Sequence, residues 1–501
     1  MSRINSATWD RAVRGFRGAG GARGLARSVM AWLATVVVAA GVAVAAVGNR
    51  KIGLALAGLV LVFGIFIADP LLLVVIALPG SLLIQRVGGA STNLSAADLL
   101  VFVGAVVSLF HIRWKEAPYL RQFMRAIVWY QAILILVVVA HPFRDDIVEW
   151  FHRWSYIGGS VLVGWVIATN GRTKQALRLF LAGSSLLAVI AMEHAVTSHF
   201  QPAQWGVYQK NGIGAIMWVA VVIAQINPVW TGIGRNEARI NKYLCIGGLL
   251  ASQSRQSIIL LILALGLAAF LNPELRGKSK MVILAAFPVT IALYFSFSIA
   301  AKNNPQFNSV TARVDQISAA IHVWHLSPIL GEGLRFYNLP QFITVTAPPN
   351  VLVDNLASTG IIGSLAFLFL VWVTVRTMFR LPYALGTLGL VILVFHYVDG
   401  LFDIFWIGAS SIAPFIIAGI SLGMADMDRM RRARAAPVNL DPAAARTIAG
   451  SLGSSGRGAS GRISSGSSRG SSGSGARGTL HAMGAAAVRV KQSVAHVRPA
   501  H

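Results

Sequence analysis

Residues 247–270 read GGLLASQSRQSIILLILALGLAAF, and six consecutive polar residues, Ser252 to Ser257 with Arg255 among them, interrupt an otherwise apolar run. Where that interruption lies relative to a membrane decides how the chain folds. Of 501 residues, 55% are hydrophobic and only 12% are charged, against about 25% charged in an ordinary soluble protein. So few charges cannot cover a water-facing surface. The chain also holds many runs of roughly 16 to 22 apolar residues, about the length of a helix that crosses the hydrocarbon core. The composition therefore predicts an all-α polytopic membrane protein.

The net charge of +25 is compatible with nucleic-acid binding, but its distribution argues against that. The basic residues lie in two polar tails and in short loops between apolar runs, as the positive-inside rule expects, and there they attract anionic membrane lipid. No nucleic-acid partner is expected. The single cysteine, Cys245, sits in an apolar run and excludes a disulfide framework or a cysteine metal site. No cleavable signal is expected, because the first apolar run is long enough to stay as a span.

Residues 1–28 form a Gly/Arg-rich arm expected to be disordered and cytoplasmic, and residues 425–501 a Gly/Ser/Arg-rich tail expected to be the same, since neither can bury enough apolar surface to fold. Between them, residues 29–424 form the membrane domain. About 14 spans are legible: 29–48, 52–68, 70–84, 97–111, 124–140, 156–170, 176–192, 211–228, 242–252, 256–271, 281–300, 358–376, 382–398 and 403–424. The break at Asp69-Pro70 can make one kinked element of two, and 242–252 is short for a crossing, so the range is about 12 to 14. With the arginine-rich N-terminus in the cytoplasm, alternation puts HIRWKEAPYLRQFMR, NGRTKQALR, GIGRNEARINK, NPELRGKSK and RTMFR inside, together with Arg429–Arg434. Every one of these segments is basic, as cytoplasmic loops should be. The outside segments are then 85–96, 141–155, 193–210, 252–256 and one large extracytoplasmic loop, 301–357. A loop of that length in a compact domain suggests function.

The positive-inside rule thins out basic residues on the outer side, so Arg86, Arg144, Arg153, Lys210, Arg255, Arg313 and Arg335 each need a reason to be there. Snorkelling at a helix end accounts for Arg144. Arg255, in a tight turn between two apolar helices, asks for a partner in the bundle. A cluster of guanidinium groups suits a diphosphate, because the planar fork binds phosphate oxygens in pairs and keeps its charge. A diphosphate at an outer leaflet points towards a polyprenyl-diphosphate carrier. The outer acids, among them Asp145, Asp146, Glu149, Glu332, Asp354 and Asp399, form no close DxD pair, and His322 with His325 make a poor metal site, so neither a metal nor another cofactor is expected.

Four segments, in order, resemble the O-antigen ligase and polymerase superfamily of membrane glycosyltransferases. YQKNGIGAIMWVAVVIA resembles the family's Lys-Asn entry to a helix, and SQSRQSIILLILALGLAAF its Ser-Arg turn and long apolar helix. VTARVDQISAAIHVWHLSPILGEGLRFY resembles the start of the large outer loop, and PNVLVDNLASTGIIGSLAF its close. The resemblance covers about residues 60 to 420 and implies a GT-C-like helical fold. It implies glycosyl transfer, by ligation or polymerisation, from a polyprenyl-diphosphate-linked glycan to a glycan or glycolipid acceptor. The reaction belongs to cell-surface polysaccharide assembly at the outer face of the bacterial cytoplasmic membrane. On this reading Arg255 and Arg313 stabilise the leaving diphosphate, with Lys210 beside Asn211 next and Arg86, Arg153 and Arg335 in support. Asn350, the nine-residue spacer, Gly360 and Gly363 fit the closing pattern of the ligases, but Pro349 stands where they have a histidine. Glu332, Asp354, His322 and His325 are then the candidates to activate the acceptor. A transporter or flippase of the same lipid-linked glycans is the alternative.

Overall fold

A computed structural model describes residues 69–272 and 309–435, apart from 85, 88–93, 207, 343, 404, 405 and 407, together with Gly64 and Ile67. The arm at 1–28, the spans at 29–48 and 281–300, nearly all of that at 52–68, and the tail from 436 lie outside the described residues. The described residues form an all-α membrane protein. Its helices are α1 (Pro70–Gly80), α2 (Ala96–His111), α3 (Pro118–Ala140), α4 (Arg144–Arg153), α5 (Ser160–Thr169), α6 (Thr173–Thr197) and α7 (Lys210–Ile226), followed by α8 (Arg235–Ser252), α9 (Arg255–Leu271), α10 (Ser309–Leu326), α11 (Val351–Phe379), α12 (Tyr383–Asp399) and α13 (Ile412–Ala435). The helices α3, α6, α11 and the stretch Ala409–Ala435 are long and apolar enough to cross a membrane, while α1, α2, α7, α9 and α12 are shorter apolar helices. A two-residue antiparallel pair, Arg86–Val87 with Leu94–Ser95, links α1 to α2.

Several boundaries differ from the hydropathy reading. The span expected at 242–252 belongs to a helix that starts at Arg235, so α8 has 18 residues, about 27 Å at ~1.5 Å per residue. Its charged first two turns are helical but carry no apolar signal, which is why hydropathy missed them. The last helix likewise runs past residue 424, where the polar tail is expected to begin, to Ala435. Asp426 in that extension explains why it stays ordered. Its carboxylate accepts from the backbone N–H of Tyr119 (3.1 Å) and Leu120 (3.4 Å) at the start of α3, and from the Trp165 indole at 3.0 Å. Helix N-termini leave N–H groups without partners, and here a distant aspartate supplies them.

The loops gather at two ends as alternation requires. At one end Arg172 pairs with Asp69 (2.7 Å), Arg178 with Glu237 (2.7 Å), and the Trp230 indole donates to the Ala384 carbonyl. This is the basic end. At the other, Gln253 donates to the Phe200 carbonyl, Asn338 to Asp145, and Asn350 to the Leu401 carbonyl.

The centre of the bundle is the crossing of α5 and α13, and glycine makes it possible. A Cβ on Gly164 would lie 1.9 Å from the Ile416 carbonyl oxygen, and one on Gly419 2.3 Å from that of Val161. Without a hydrophobic drive between helices in lipid, such close backbone approach is a main source of association. Helix α4 enters α5 through a π-helical turn, Trp154–Gly159. Helix α11 is broken at Gly360 (φ 61, ψ −164). The segment 328–333 of the large loop lies on that break, with Glu332 N–H donating to the Ala357 carbonyl, Gly333 to Ser358, and Ile361 to Pro328. Gly360 therefore serves the loop's docking, since a Cβ there would lie 2.2 Å from the Ile329 carbonyl oxygen. Helix α10 closes the loop over a small core of Ala320, Val323, Phe336, Phe342 and Ala357.

Replacing Gly164 with leucine is expected to remove the α5–α13 crossing, at a cost beyond the ~1–3 kcal/mol of ordinary overpacking because the obstacle is backbone. The readout is loss of the monodisperse peak and a lowered Tm in detergent. An unchanged Tm would contradict this packing.

Candidate functional site

The polar interruption at 252–257 is a tight helix–helix turn. Gln253 takes the left-handed conformation (φ 53) that ends α8, and Ser254 caps α9 by accepting from the Ser257 N–H. The Ser252 hydroxyl donates to the Leu249 carbonyl at 2.7 Å and accepts from the Ser254 N–H. Arg255 is thus the first residue of α9 and is exposed at the bundle end. Lys210 is the first residue of α7. The two N-termini lie side by side, because a Cβ on Gly214 would come within 2.6 Å of Ser254 and 2.5 Å of the Ser257 hydroxyl.

Arg313 of α10 completes a cluster with these two. Lys210 lies within Coulombic reach of both Arg255 and Arg313. Asp403, just after α12, faces the cluster: its carboxylate accepts from the Asn211 amide at 2.7 Å and lies 3.8 Å from the Arg313 guanidinium. Ser254 donates to the Asn211 carbonyl oxygen (3.4 Å), tying the α7 start to the turn. Below, Gln256 donates to the carboxylate of Asp399, which is buried at the end of α12. Three cations beside two helix N-termini, whose dipoles add partial positive charge, make a site that favours an anion with several oxygens.

The other expected basic residues lie in a different network. Glu149 of α4 is completely buried, and its carboxylate takes the Arg153 guanidinium at 3.1 Å on one oxygen and the Arg335 guanidinium at 2.9 Å on the other. Arg153, 1% exposed, also donates to the Tyr130 hydroxyl (3.2 Å) and lies 3.6 Å from Asp354. Asp146 accepts from the Arg335 backbone N–H at 2.8 Å. These charges hold the large loop to α4 and α11: buried ions need partners, and here each guanidinium has a carboxylate. Arg153, Arg335 and Asp354 are accordingly together, but apart in their bonding from Lys210, Arg255 and Arg313.

The remaining expected residues are spread out. Arg86 sits in the two-residue strand, its backbone paired with Ser95. His322 and His325 are exposed on α10. Glu332 is half-buried between Gly331 and Gly333 in the segment docked on the α11 break. Asn350 caps α11, accepting from the N–H groups of Leu352 and Val353. Among the described residues no group of three or more His, Cys, Asp or Glu side chains is placed to hold a metal.

Sequence reasoning missed Asp403 and the part played by Glu149. Asp403 was absorbed into the span expected at 403–424, whereas the helix begins only at Ile412. The signal was a second acid four residues after Asp399 at the end of an apolar run. Glu149 stands among the outer acids, but nothing local marks it as the one that two arginines share.

Residues 240–368 match the family model Wzy_C, described as O-antigen ligase. They run from α8 to the middle of α11 and include Arg255, Arg313, Glu332, Arg335, Asn350 and Asp354. The match covers about a quarter of the chain and supports its resemblance to the O-antigen ligase and polymerase superfamily. No curated protein matches the chain.

Glu149→Ala is expected to cost roughly 3–5 kcal/mol, because it leaves two buried guanidinium groups short of a partner. The check is Tm in detergent, with Arg144→Ala at the exposed start of α4 as the small-effect control. A second expectation concerns pH. Burial pushes the Asp146 carboxyl up to about 6 from its ordinary 3.8, against the pull of the Arg335 N–H. A raised folded value means that the fold holds this proton more tightly than the unfolded chain does, so its contribution is full at low pH and lost as pH rises through about 6. Asp146→Asn keeps the accepting oxygen and should gain Tm relative to the parent chain between pH 4 and 7; parallel curves would contradict the assignment.

Proposed function

We propose that this protein transfers glycan from a polyprenyl-diphosphate-linked donor to a glycan or glycolipid acceptor at the outer face of the bacterial cytoplasmic membrane. The basic end then lies in the cytoplasm and the cation cluster outside. The observation that carries the reading is the convergence of Lys210, Arg255 and Arg313 at two adjacent helix N-termini, with a carboxylate on their edge.

An acceptor hydroxyl attacks the anomeric carbon of the donor sugar as the bond from that carbon to the diphosphate oxygen breaks. The bonding pair leaves with the diphosphate, whose charge grows as it departs. Cations already in place and held by the fold stabilise that charge more than they stabilise the bound donor, and such differential binding is what lowers a barrier. Lys210, Arg255 and Arg313 do this work, and no metal ion is needed for it. Asp403 balances Arg313 before the donor arrives. When the diphosphate takes over that guanidinium, the Asp403 carboxylate, still accepting from the Asn211 amide, takes the proton of the acceptor hydroxyl, a step in which a side chain contributes roughly 10²–10⁴-fold. Pro349 stands where the ligases have histidine, and Asp403 supplies the missing base from another element.

Arg255→Ala and Arg313→Ala are each expected to abolish glycan transfer by purified protein given donor and acceptor in detergent, with Tm retained. Asp403→Asn should lower kcat by roughly 10²–10⁴-fold while donor binding persists, since the Asn211 contact keeps an accepting oxygen. Full transfer in both arginine variants would overturn the site. Absence of any transfer by the parent chain in detergent, with donor movement across vesicles, would instead favour a flippase.

A further inference from the structure

The basic end holds a half-open cavity of ≈ 520 Å³, lined by the ends of α2, α5 and α13 and the turn before α3. That volume is in the range of small-molecule sites, about 300–1,000 Å³. Among the described residues, Arg113, Arg431 and Arg434 line it, with Glu116 as the one carboxylate. The Arg113–Glu116 contact is long, 3.9 Å, and both side chains are well exposed, so it neutralises little. The two aspartates at this end of α13 are engaged elsewhere: Asp428 pairs with Arg432 at 2.7 Å, and Asp426 caps α3 and holds the Trp165 indole. Arg431 and Arg434, on the cavity side, therefore add positive potential that these acids do not offset.

The walls are not polar throughout. Trp165, Met427 and Met430 form an apolar part of the lining, and Phe110, at the last turn of α2, stands 84% exposed at the lip. Ordinary positive-inside arginines need only a solvated loop. These surround a cavity, and beside it a large aromatic ring projects from the bundle. Guanidinium groups recognise phosphate through paired hydrogen bonds, and basic pockets between transmembrane helices suit anionic head groups.

We propose that this cavity binds a phosphate-bearing anion, the head group of an anionic phospholipid whose chains run over Phe110. It is separate from the cation cluster and does not depend on the glycosyl-transfer reading.

The test uses the full chain purified in detergent and in nanodiscs. Native mass spectrometry and Tm would compare phosphatidylglycerol with phosphatidylcholine, and both with glycerol 3-phosphate and inorganic phosphate alone. Phosphatidylglycerol is expected to be retained and to raise Tm, and the double variant Arg431→Gln/Arg434→Gln to weaken that binding at least tenfold, with Tm in phosphatidylcholine unchanged. Arg429→Gln/Arg432→Gln removes the same charge from α13 at residues outside the lining and should keep the preference. Equal loss in the two double variants would mean diffuse surface charge and overturn the site, as would equal retention of both lipids by the parent chain. Protection by glycerol 3-phosphate as strong as that by the lipid would keep the anion site but refute the lipid as its source.

Discussion

A backbone N–H or C=O without a partner in hydrocarbon costs several kcal/mol, so a spanning chain must be helical wherever it faces lipid. That constraint shapes everything else here. It drives irregular backbone to the two ends of the bundle, where turns, caps and loop segments can find partners. It also means that chemistry must be assembled from helix ends. The cation cluster is built this way, from the first residues of α7 and α9, a side chain of α10 and the acid that follows α12. Where helical pairing fails inside the bundle, at Gly360 of α11, another stretch of backbone replaces it, and 328–333 of the large loop docks on the break.

A second constraint separates the arginines. In a buried setting a charge without a partner is expensive, and Glu149 answers this by serving Arg153 and Arg335 together. The result is a clamp between α4, the large loop and α11. At the cation cluster, among the described residues, Lys210, Arg255 and Arg313 gather with Asp403 at the edge. The clamp gives rigidity, while the gathered cations and helix N-termini give an anion a reason to bind. The loop thus serves the site indirectly, because the same chain that Arg335 anchors carries Arg313 on α10.

Much of the fold was legible in hydropathy and in the basic loops, because length and charge asymmetry are local properties of the chain. The pieces that escaped were those whose order comes from a distant partner. Residues 235–241 of α8 have no apolar pattern, and the α13 extension is held by Asp426 capping α3, hundreds of positions away in sequence. Of the candidate residues, Arg255, Arg313 and Lys210 were legible as basic groups on the sparsely charged side. Asp403 was not, since its meaning depends on Asn211 and Arg313 lying beside it.

The sequence by itself determined that this chain is helical and membrane-embedded, and that a polar turn with Arg255 lies between two apolar helices. Those follow from apolar length and from too few charges to face water. Only the tertiary structure decided which arginines share a buried glutamate and which gather at helix N-termini. Guanidinium groups of the same kind, on the same side of the chain, differ solely in what the fold places next to them: a buried glutamate for Arg153 and Arg335, and two helix N-termini with other cations for Arg255. Coulomb energy depends on distance in space and on burial, and neither is written in the local order of residues.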